Sequence, residues 1–297
     1  RGCILMNGVE ILVIDEADRM LDMGFIPDIE RIVKMVPFTR QTLFFSATMP
    51  PIIEKLADQF LQNPVQVAVA AAASTSDTIE QKLVHAPKKD FEKRAVLRQL
   101  VDNAENLNNG IIFCNRKRDV ATVHTSLLKR EYSVGSLHGD MDQFQRDQVL
   151  VQFSNKSLSI LVATDVAARG LDVENLEAVV NYNISPDPEV HVHRIGRTGR
   201  AGSSGLAISL VASYEIARVE AIEEFTGTKI SIEEDVSTQR DSSYELSPTM
   251  QTLFINGGRK QKVRAGDIVG ALTANSELDS SSIGKINIMD RFSYVAV

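Results

Sequence analysis

The sequence predicts an α/β protein built on doubly wound parallel sheets, and three observations carry that expectation. Strand-like and helix-like runs alternate along the chain, the pattern of strand–helix–strand crossovers. The pattern stops at a small, polar stretch, AAASTSDT, and then restarts. At 297 residues the chain is also too long for one ordinary core.

The elements follow in order. EILVI (10–14) reads as a strand, with one helical stretch after it to about Val36. TLFFSAT (42–48) reads as the next strand and PPIIEKLADQFL (50–61) as the next helix. After VQVAVA, residues 71–78 read as an interdomain linker. Strands return at IEQKLVHA, GIIFCN (110–115), VGSLHG (134–139), LSILVATD (158–165), LEAVVNYNI (176–184) and GLAISLVA (205–212). Helical candidates lie between most of them; Val120, Val123, Leu127 and Leu128, for instance, fall at helical spacing. Right-handed crossovers would make this second unit a compact doubly wound domain. A polar, acidic, Ser-rich seam then runs to Pro248. Beyond it TLFIN and INIMD read as strands around the helix AGDIVGALTA, and FSYVAV as a last strand. The expected units are 1–70, 79–232 and 249–297, joined by linkers at 71–78 and 233–248.

Composition narrows the class. Hydrophobic content of 43% and charged content of 24% describe a globular protein, and no apolar run reaches the roughly 18 residues of a membrane span. No signal peptide opens the chain. Cys3 and Cys114 have no metal-type spacing and read as small core hydrophobes without a disulfide partner, which fits a reducing cytoplasm. A net charge of −7 argues against coating nucleic acid through the overall field, while leaving room for a local basic groove. The first residue is Arg1 and the last run reads as a strand with nothing after it, so the chain is expected to be a fragment.

Four stretches carry chemistry. In LVIDEADRML an apolar strand ends in Asp15, Glu16 and Asp18. These carboxylates could cap the next helix, or hold a divalent cation and polarise a water at the carboxyl end of a parallel strand. SAT (46–48) ends a strand, with Thr48 available as a cap. ATDVAARGLD (163–172) ends another, with Asp165 and Asp172 as caps or turn residues. HRIGRTGRAG (193–202) spaces Arg194, Arg197 and Arg200 by three among glycines. On a helical turn that spacing would aim guanidinium forks the same way, toward multivalent phosphate.

DEAD at 15–18, SAT at 46–48, HGDMDQFQR at 138–146, ATDVAARGLD at 163–172 and HRIGRTGR at 193–200 occur in order. Together they resemble the blocks of the DEAD-box ATP-dependent RNA helicases. TLFINGGRKQKVRAGDIVGALT resembles the DbpA-type RNA-binding module of some bacterial members. The resemblance covers nearly the whole chain. It implies two RecA-like domains, the first partial, and a partial RRM-like module. It also implies ATP and Mg²⁺ as cofactors and RNA, expected to be structured ribosomal RNA, as partner.

The resemblance further assigns roles by position. Asp15 is expected to hold Mg²⁺ through water, and Glu16 to orient and deprotonate the attacking water. Asp18, Ser46 and Thr48 would relay between that site and RNA, and His193 and Arg194 would link the domains. Asp172 is expected on the ATP ribose. Arg197 and Arg200 resemble arginine fingers, worth about 10³ to 10⁵ in rate. Arg116, Gly139, Gln143, Arg146 and Thr164 would hold the RNA sugar-phosphate backbone. In the tail Arg259, Lys260, Lys262 and Arg264 form a basic cluster with no acid among them. Phe254, Phe292 and Tyr294 could stack on bases or pack a core.

One departure is large. No G-x-x-x-x-G-K-[ST] loop occurs; the only Gly-Lys, Gly284-Lys285, is followed by Ile and has no glycine five residues earlier. The expectation is therefore an enzyme for the parent protein and no turnover from this chain alone. The alternative is a non-catalytic RNA-binding protein.

Overall fold

The computed structural model describes residues 5–22, 24–46, 48–68, 78–103, 109–168, 176–199, 204–233, 247–274 and 278–297. The chain divides into two compact units, Arg1–Ala72 and Ala73–Val297. Most of both expected linkers falls outside the described residues.

The first unit contains β1 (Ile11–Ile14), α1 (Ala17–Asp22), α2 (Ile26–Met35), β2 (Gln41–Phe44) and α3 (Pro51–Phe60). The two strands pair in parallel, with Ile14 opposite Phe44. Ile14, Ala17, Ile29, Leu56 and Phe60 form the core between strands and helices. On the other face of the strands, Ile11, Val13, Leu43 and Phe45 are exposed. The single helix expected up to Val36 is two helices. Gly24 adopts a left-handed φ of 74°, which glycine reaches without a Cβ clash, and Pro27 sits in the first turn of α2.

The second unit is built on seven parallel strands: β3 (Ile79–Ala86), β4 (Gly110–Phe113), β5 (Val134–Leu137), β6 (Ile160–Ala163), β7 (Ala178–Asn181), β8 (Gly205–Ala212) and β9 (Ile232–Glu233). Their order is β5-β6-β4-β7-β8-β3-β9. The helices are α4 (Asp90–Asn103), α5 (Lys117–Leu128), α6 (Gln143–Ser154), α7 (Asp165–Ala168), α8 (Pro188–Ile195) and α9 (Ile216–Thr226). Leu97 and Val101 of α4 and Val120, Val123 and Leu127 of α5 cover one face, against Ile112, Val162 and Val180. Phe153 of α6 and Ala167 of α7 cover the other, against Ile111, Phe113 and Leu161. Helices on both faces explain why β4, β6 and β7 are buried at every position. Cys114 lies in this core, where burial drives its thiol pKa up; Cys3 is outside the described residues.

Within the same unit, β10 (Thr252–Ile255), α10 (Ala265–Ala274), β11 (Ile286–Ile288) and β12 (Ser293–Ala296) form a small module. Its antiparallel sheet runs β10-β12-β11, so the last strand is central and fully buried. The module meets α6 both at its start, through Phe144, and at its end. Asn155 donates to the Thr252 hydroxyl at 3.2 Å, and the Ser157 and Thr252 hydroxyls share a bond at 2.6 Å. Lys285 donates to Ser154 at 2.8 Å, and the Phe144 and Phe292 rings meet edge-on at 5.9 Å. Among the described residues no helix is long and apolar enough to cross a membrane.

Candidate functional site

In the first unit, Asp15 and Glu16 stand exposed at the carboxyl tip of β1. Glu16 has a φ of 51°, a left-handed conformation that costs a residue with a Cβ about 1 kcal/mol or more. The Asp15 carboxylate accepts the Glu16 N–H at 2.9 Å and so helps hold that turn. Strain of this kind is kept where a side chain must point in a set direction.

Asp18 faces inward and is 7% exposed. Its Oδ2 accepts the Thr48 N–H at 2.8 Å and the Thr48 hydroxyl at 2.9 Å, and its Oδ1 accepts the Arg19 N–H at 3.0 Å. The Asp18 N–H donates to Ser46 Oγ at 3.2 Å, and Ser46 Oγ donates to the Thr48 carbonyl at 2.7 Å. Burial opposes ionisation of Asp18, but the bonds from Thr48, Arg19 and Ser46 together outweigh it and hold the carboxyl below its ordinary 3.8. The first acidic stretch and SAT are thus one hydrogen-bonded unit, although 28 to 30 residues separate them. Ala47 is outside the described residues.

In the second unit the topology assembles one edge. Arg116, Gly139 and Thr164 follow β4, β5 and β6, which are neighbours in the sheet, so all three lie at the carboxyl ends of adjacent strands. Gln143 and Arg146 lie in the first turn of α6, which enters from the same edge. Asp142 caps that helix by accepting the Gln145 N–H at 2.8 Å, and Gln143 donates to Asp147 at 2.8 Å. Lys117 donates to both Asp140 oxygens, at 3.0 and 2.8 Å, bridging the loops after β4 and β5.

Arg194 fastens that edge from beneath. It is 2% exposed, and all five of its N–H donors are used. Nε and Nη2 donate to the two Asp165 oxygens at 2.6 and 2.7 Å. Nη1 donates to Asn181 Oδ1 at 3.2 Å and the Asn183 carbonyl at 2.8 Å, and Nη2 also donates to Asn115 at 2.7 Å. The guanidinium stacks 5.3 Å from the centre of the Phe113 ring. These partners follow or end β6, β7 and β4. Sequence reading missed Asn115, Asn181 and Asn183, and left Asp165 as a cap or turn residue; no local pattern joins them to Arg194.

The helical turn expected to align Arg194 with Arg197 does not occur. Helix α8 ends at Ile195 with Gly196 as its cap, and Gly199 takes a left-handed φ of 68°. A Cβ at Gly199 would lie 2.5 Å from Ile79, so only glycine fits that turn. Arg194 is therefore in the last helical turn, and Arg197 follows in the loop. His193 is half-buried, and its Nδ1 has no hydrogen-bond partner among the described residues. Arg200 and Asp172 are outside the described residues.

In the small module Arg259, Lys260, Lys262 and Arg264 are all exposed along one connection after β10. Tyr294 is 4% exposed and belongs to the core, Phe292 is half-buried, and Phe254 is 54% exposed. Their rings form a cluster with centroids 5.5 to 5.7 Å apart.

Asp15 and Glu16 offer hard oxygen donors that suit Mg²⁺, and no group of three or more His, Cys, Asp or Glu that could hold a metal occurs among the described residues. One carboxylate, with waters and substrate phosphates, is a usual Mg²⁺ set.

An acidic strand tip locked to Ser46 and Thr48, and a parallel sheet carrying a basic edge, are parts of a RecA-like helicase core. The chain belongs to the DEAD/DEAH box helicase family, which matches residues 2–56; the helicase conserved C-terminal domain matches 92–202 and the DbpA RNA binding domain 252–297. It is 42% identical to the ATP-dependent RNA helicase DbpA of Escherichia coli (strain K12) over 297 residues, all of this chain and 64% of that protein. It is 38% identical to DbpA of Bacillus subtilis (strain 168), over 100% of this chain and 66% of that one. The chain therefore spans just under two thirds of the length of these relatives. Among solved structures, S. cerevisiae Dbp5 bound to RNA and ADP BeF3 matches with a TM-score of 0.68 at 29% identity, over 77% of this chain and 60% of that one.

Proposed function

We propose that this chain is part of a bacterial, cytoplasmic DEAD-box enzyme that couples ATP hydrolysis to local RNA unwinding, acting on structured ribosomal RNA in ribosome assembly. The observation that carries the reading is the locking of Asp18 to Ser46 and Thr48 within three residues of Asp15 and Glu16 in the chain. Such a link can make the state of a hydrolytic site felt elsewhere in its domain. The Dbp5 structure, bound to RNA and a nucleotide analogue, supports RNA and ATP as ligands.

In this reading Asp15 would hold Mg²⁺ through water, and the ion would supply charge neutralisation at the phosphates. Glu16, aimed by its strained backbone, orients the attacking water and takes its proton. Arg197 and Arg200 stabilise charge on the transferring phosphoryl group, and Asp172 binds the ribose. Asp18, Ser46 and Thr48, with His193, couple nucleotide and RNA binding, and Arg194, whose donors are all used within the second unit, contributes by fixing the residues beside Thr164 and Arg116. Arg116, Gly139, Gln143, Arg146 and Thr164 hold the RNA backbone, so binding tolerates any sequence. Arg259, Lys260, Lys262 and Arg264 direct the enzyme to structured RNA.

The test uses a chimera in which the segment of E. coli DbpA that precedes its aligned region is fused ahead of Arg1. RNA-stimulated ATP hydrolysis is expected, and Glu16→Gln should remove it while leaving ATP and RNA binding. Full turnover in the Glu16→Gln chimera would sink the role given to Glu16.

A further inference from the structure

We infer that the groove between α4 and α5 is a second, unspecific track for single-stranded RNA, continuing from Arg116; this rests on the reading of the chain as RNA-binding. The groove has a volume of about 730 Å³. Arg94 and Arg98 line it from α4, Arg118 from α5, and Lys129 and Arg130 from the turn that closes α5. No carboxylate is among its lining residues. Asp119 and Asp102 flank it, at 3.8 Å from Arg118 and Arg130, the long end of ion pairing. A chain of net charge −7 thus concentrates five cations on one face.

The cations are placed by helix geometry. Arg118, Thr122, Thr125 and Lys129 are spaced by four, three and four residues, so they form one stripe along α5. Arg94 and Arg98 form the facing stripe on α4, with Arg98 donating to Ser126 at 2.8 Å across the groove. Helix α5 is 12 residues long, or about 18 Å, and begins directly after Arg116. The stripe therefore leads from the edge that carries Arg116, Gly139 and Thr164 down the side of the domain.

The floor distinguishes nucleic acid from an acidic peptide. Thr122 and Thr125 give their hydroxyl protons to their own helix, at 2.8 Å each, and the one apolar side chain that α5 adds to the lining is the small Ala121. A peptide partner is normally held by an apolar anchor in a closed pocket, and this floor offers none. At the groove's end Phe91 is 60% exposed, with Lys89 5.9 Å from its ring centre. Cations that follow a backbone beside an open aromatic ring are the chemistry of single-strand binding.

The test is fluorescence anisotropy on the 297-residue chain, with labelled single-stranded RNAs of about 6 and about 20 nucleotides at several salt concentrations. The variant is Arg98→Gln/Arg118→Gln/Lys129→Gln, its fold checked by circular dichroism and urea unfolding. It should bind the long strand about tenfold more weakly and lower the salt slope by about two, at roughly 0.7 per lost contact. Binding of the short strand should not change, whereas Arg116→Gln should weaken both. Equal losses for both lengths, or no loss for the long strand, would overturn the track. Competition by polyglutamate that the variant abolishes, with RNA binding intact, would also overturn it and assign the groove to an acidic protein. If the unmutated chain binds neither RNA, the RNA reading itself fails and the track fails with it. If it binds the short strand normally and only the track prediction fails, the RNA reading stands.

Discussion

Arg194 and Asp165 meet through two hydrogen bonds of 2.6 and 2.7 Å beneath the carboxyl edge of the seven-stranded sheet. Asp165 directly follows Thr164, and Asn115, another partner of Arg194, directly precedes Arg116. One buried guanidinium therefore sets the position of two residues proposed to touch RNA. Lysine cannot replace it, because its three donors share one nitrogen and lack the planar fork. Arg194→Lys should lower the stability of the second unit by about 3 kcal/mol, read as a shift in the urea midpoint. RNA affinity should also fall under conditions where the variant is still folded. An unchanged midpoint would mean the network is dispensable.

Lys93 and Glu215 form a second buried link at 2.7 Å, each with a side chain 1% exposed. The two Glu215 oxygens also accept the Ile184 and Ala212 N–H groups, at 3.0 and 3.1 Å. Glu215→Ala should cost about 3 to 5 kcal/mol, since a buried ammonium is left without its partner. Adding Lys93→Met should recover only part of this, because two backbone donors remain unsatisfied. Urea denaturation of both variants gives the comparison; full recovery would show that the backbone bonds contribute nothing.

Asp18 makes the first unit sensitive to acid. Its carboxyl is held below 3.8, so its ionised form adds stability that is complete well above that value. The contribution is lost as pH falls below 3.8 through the lowered folded value. Thr48→Val removes the 2.9 Å hydroxyl bond while keeping the shape, and should cost about 1 to 2 kcal/mol near neutrality. Its acid unfolding should begin at a higher pH than in the unmutated chain. Coincident acid transitions would rule out Asp18 as the group responsible.

His191 works in a different window. It is 1% exposed, and burial, reinforced by the Arg194 charge, lowers its pKa from 6.5 to about 4. The unfolded chain therefore binds more protons than the folded one between these values, and stability rises with pH across them. The second unit should lose up to about 3 kcal/mol as pH falls from 6.5 toward 4. In His191→Gln that slope should flatten. A slope unaltered by the substitution would place the titration elsewhere.

How much of this was legible depended on sequence distance. The strands ending at Ile14, Phe113 and Ala163 are short apolar runs before polar loops, and the order of motifs along them named the family. Gly24 was overlooked as a helix break because a lone glycine is tolerated inside a helical pattern, and only its φ of 74° reveals the stop. The three-residue spacing of Arg194, Arg197 and Arg200 suggested a shared direction, yet the sequence could not say that the helix stops at Ile195. Pairing of Lys93 with Glu215 spans 122 residues and has no local signature. The same holds for the α4–α5 groove, since its cations are scattered among acids in the chain and gather only when two helices lie side by side.

By itself, then, the sequence determined the alternation of elements, the residue types at each strand tip and the family they mark, because periodicity and local motifs are properties of neighbours along the chain. Tertiary structure alone decided which strands adjoin, and so which of those tips share an edge. It also decided which charges are buried in pairs and which are left to face solvent. The physical reason is that burial and pairing are set by groups brought together across tens of residues. A guanidinium becomes a structural anchor or a ligand-binding cation according to what the fold places around it.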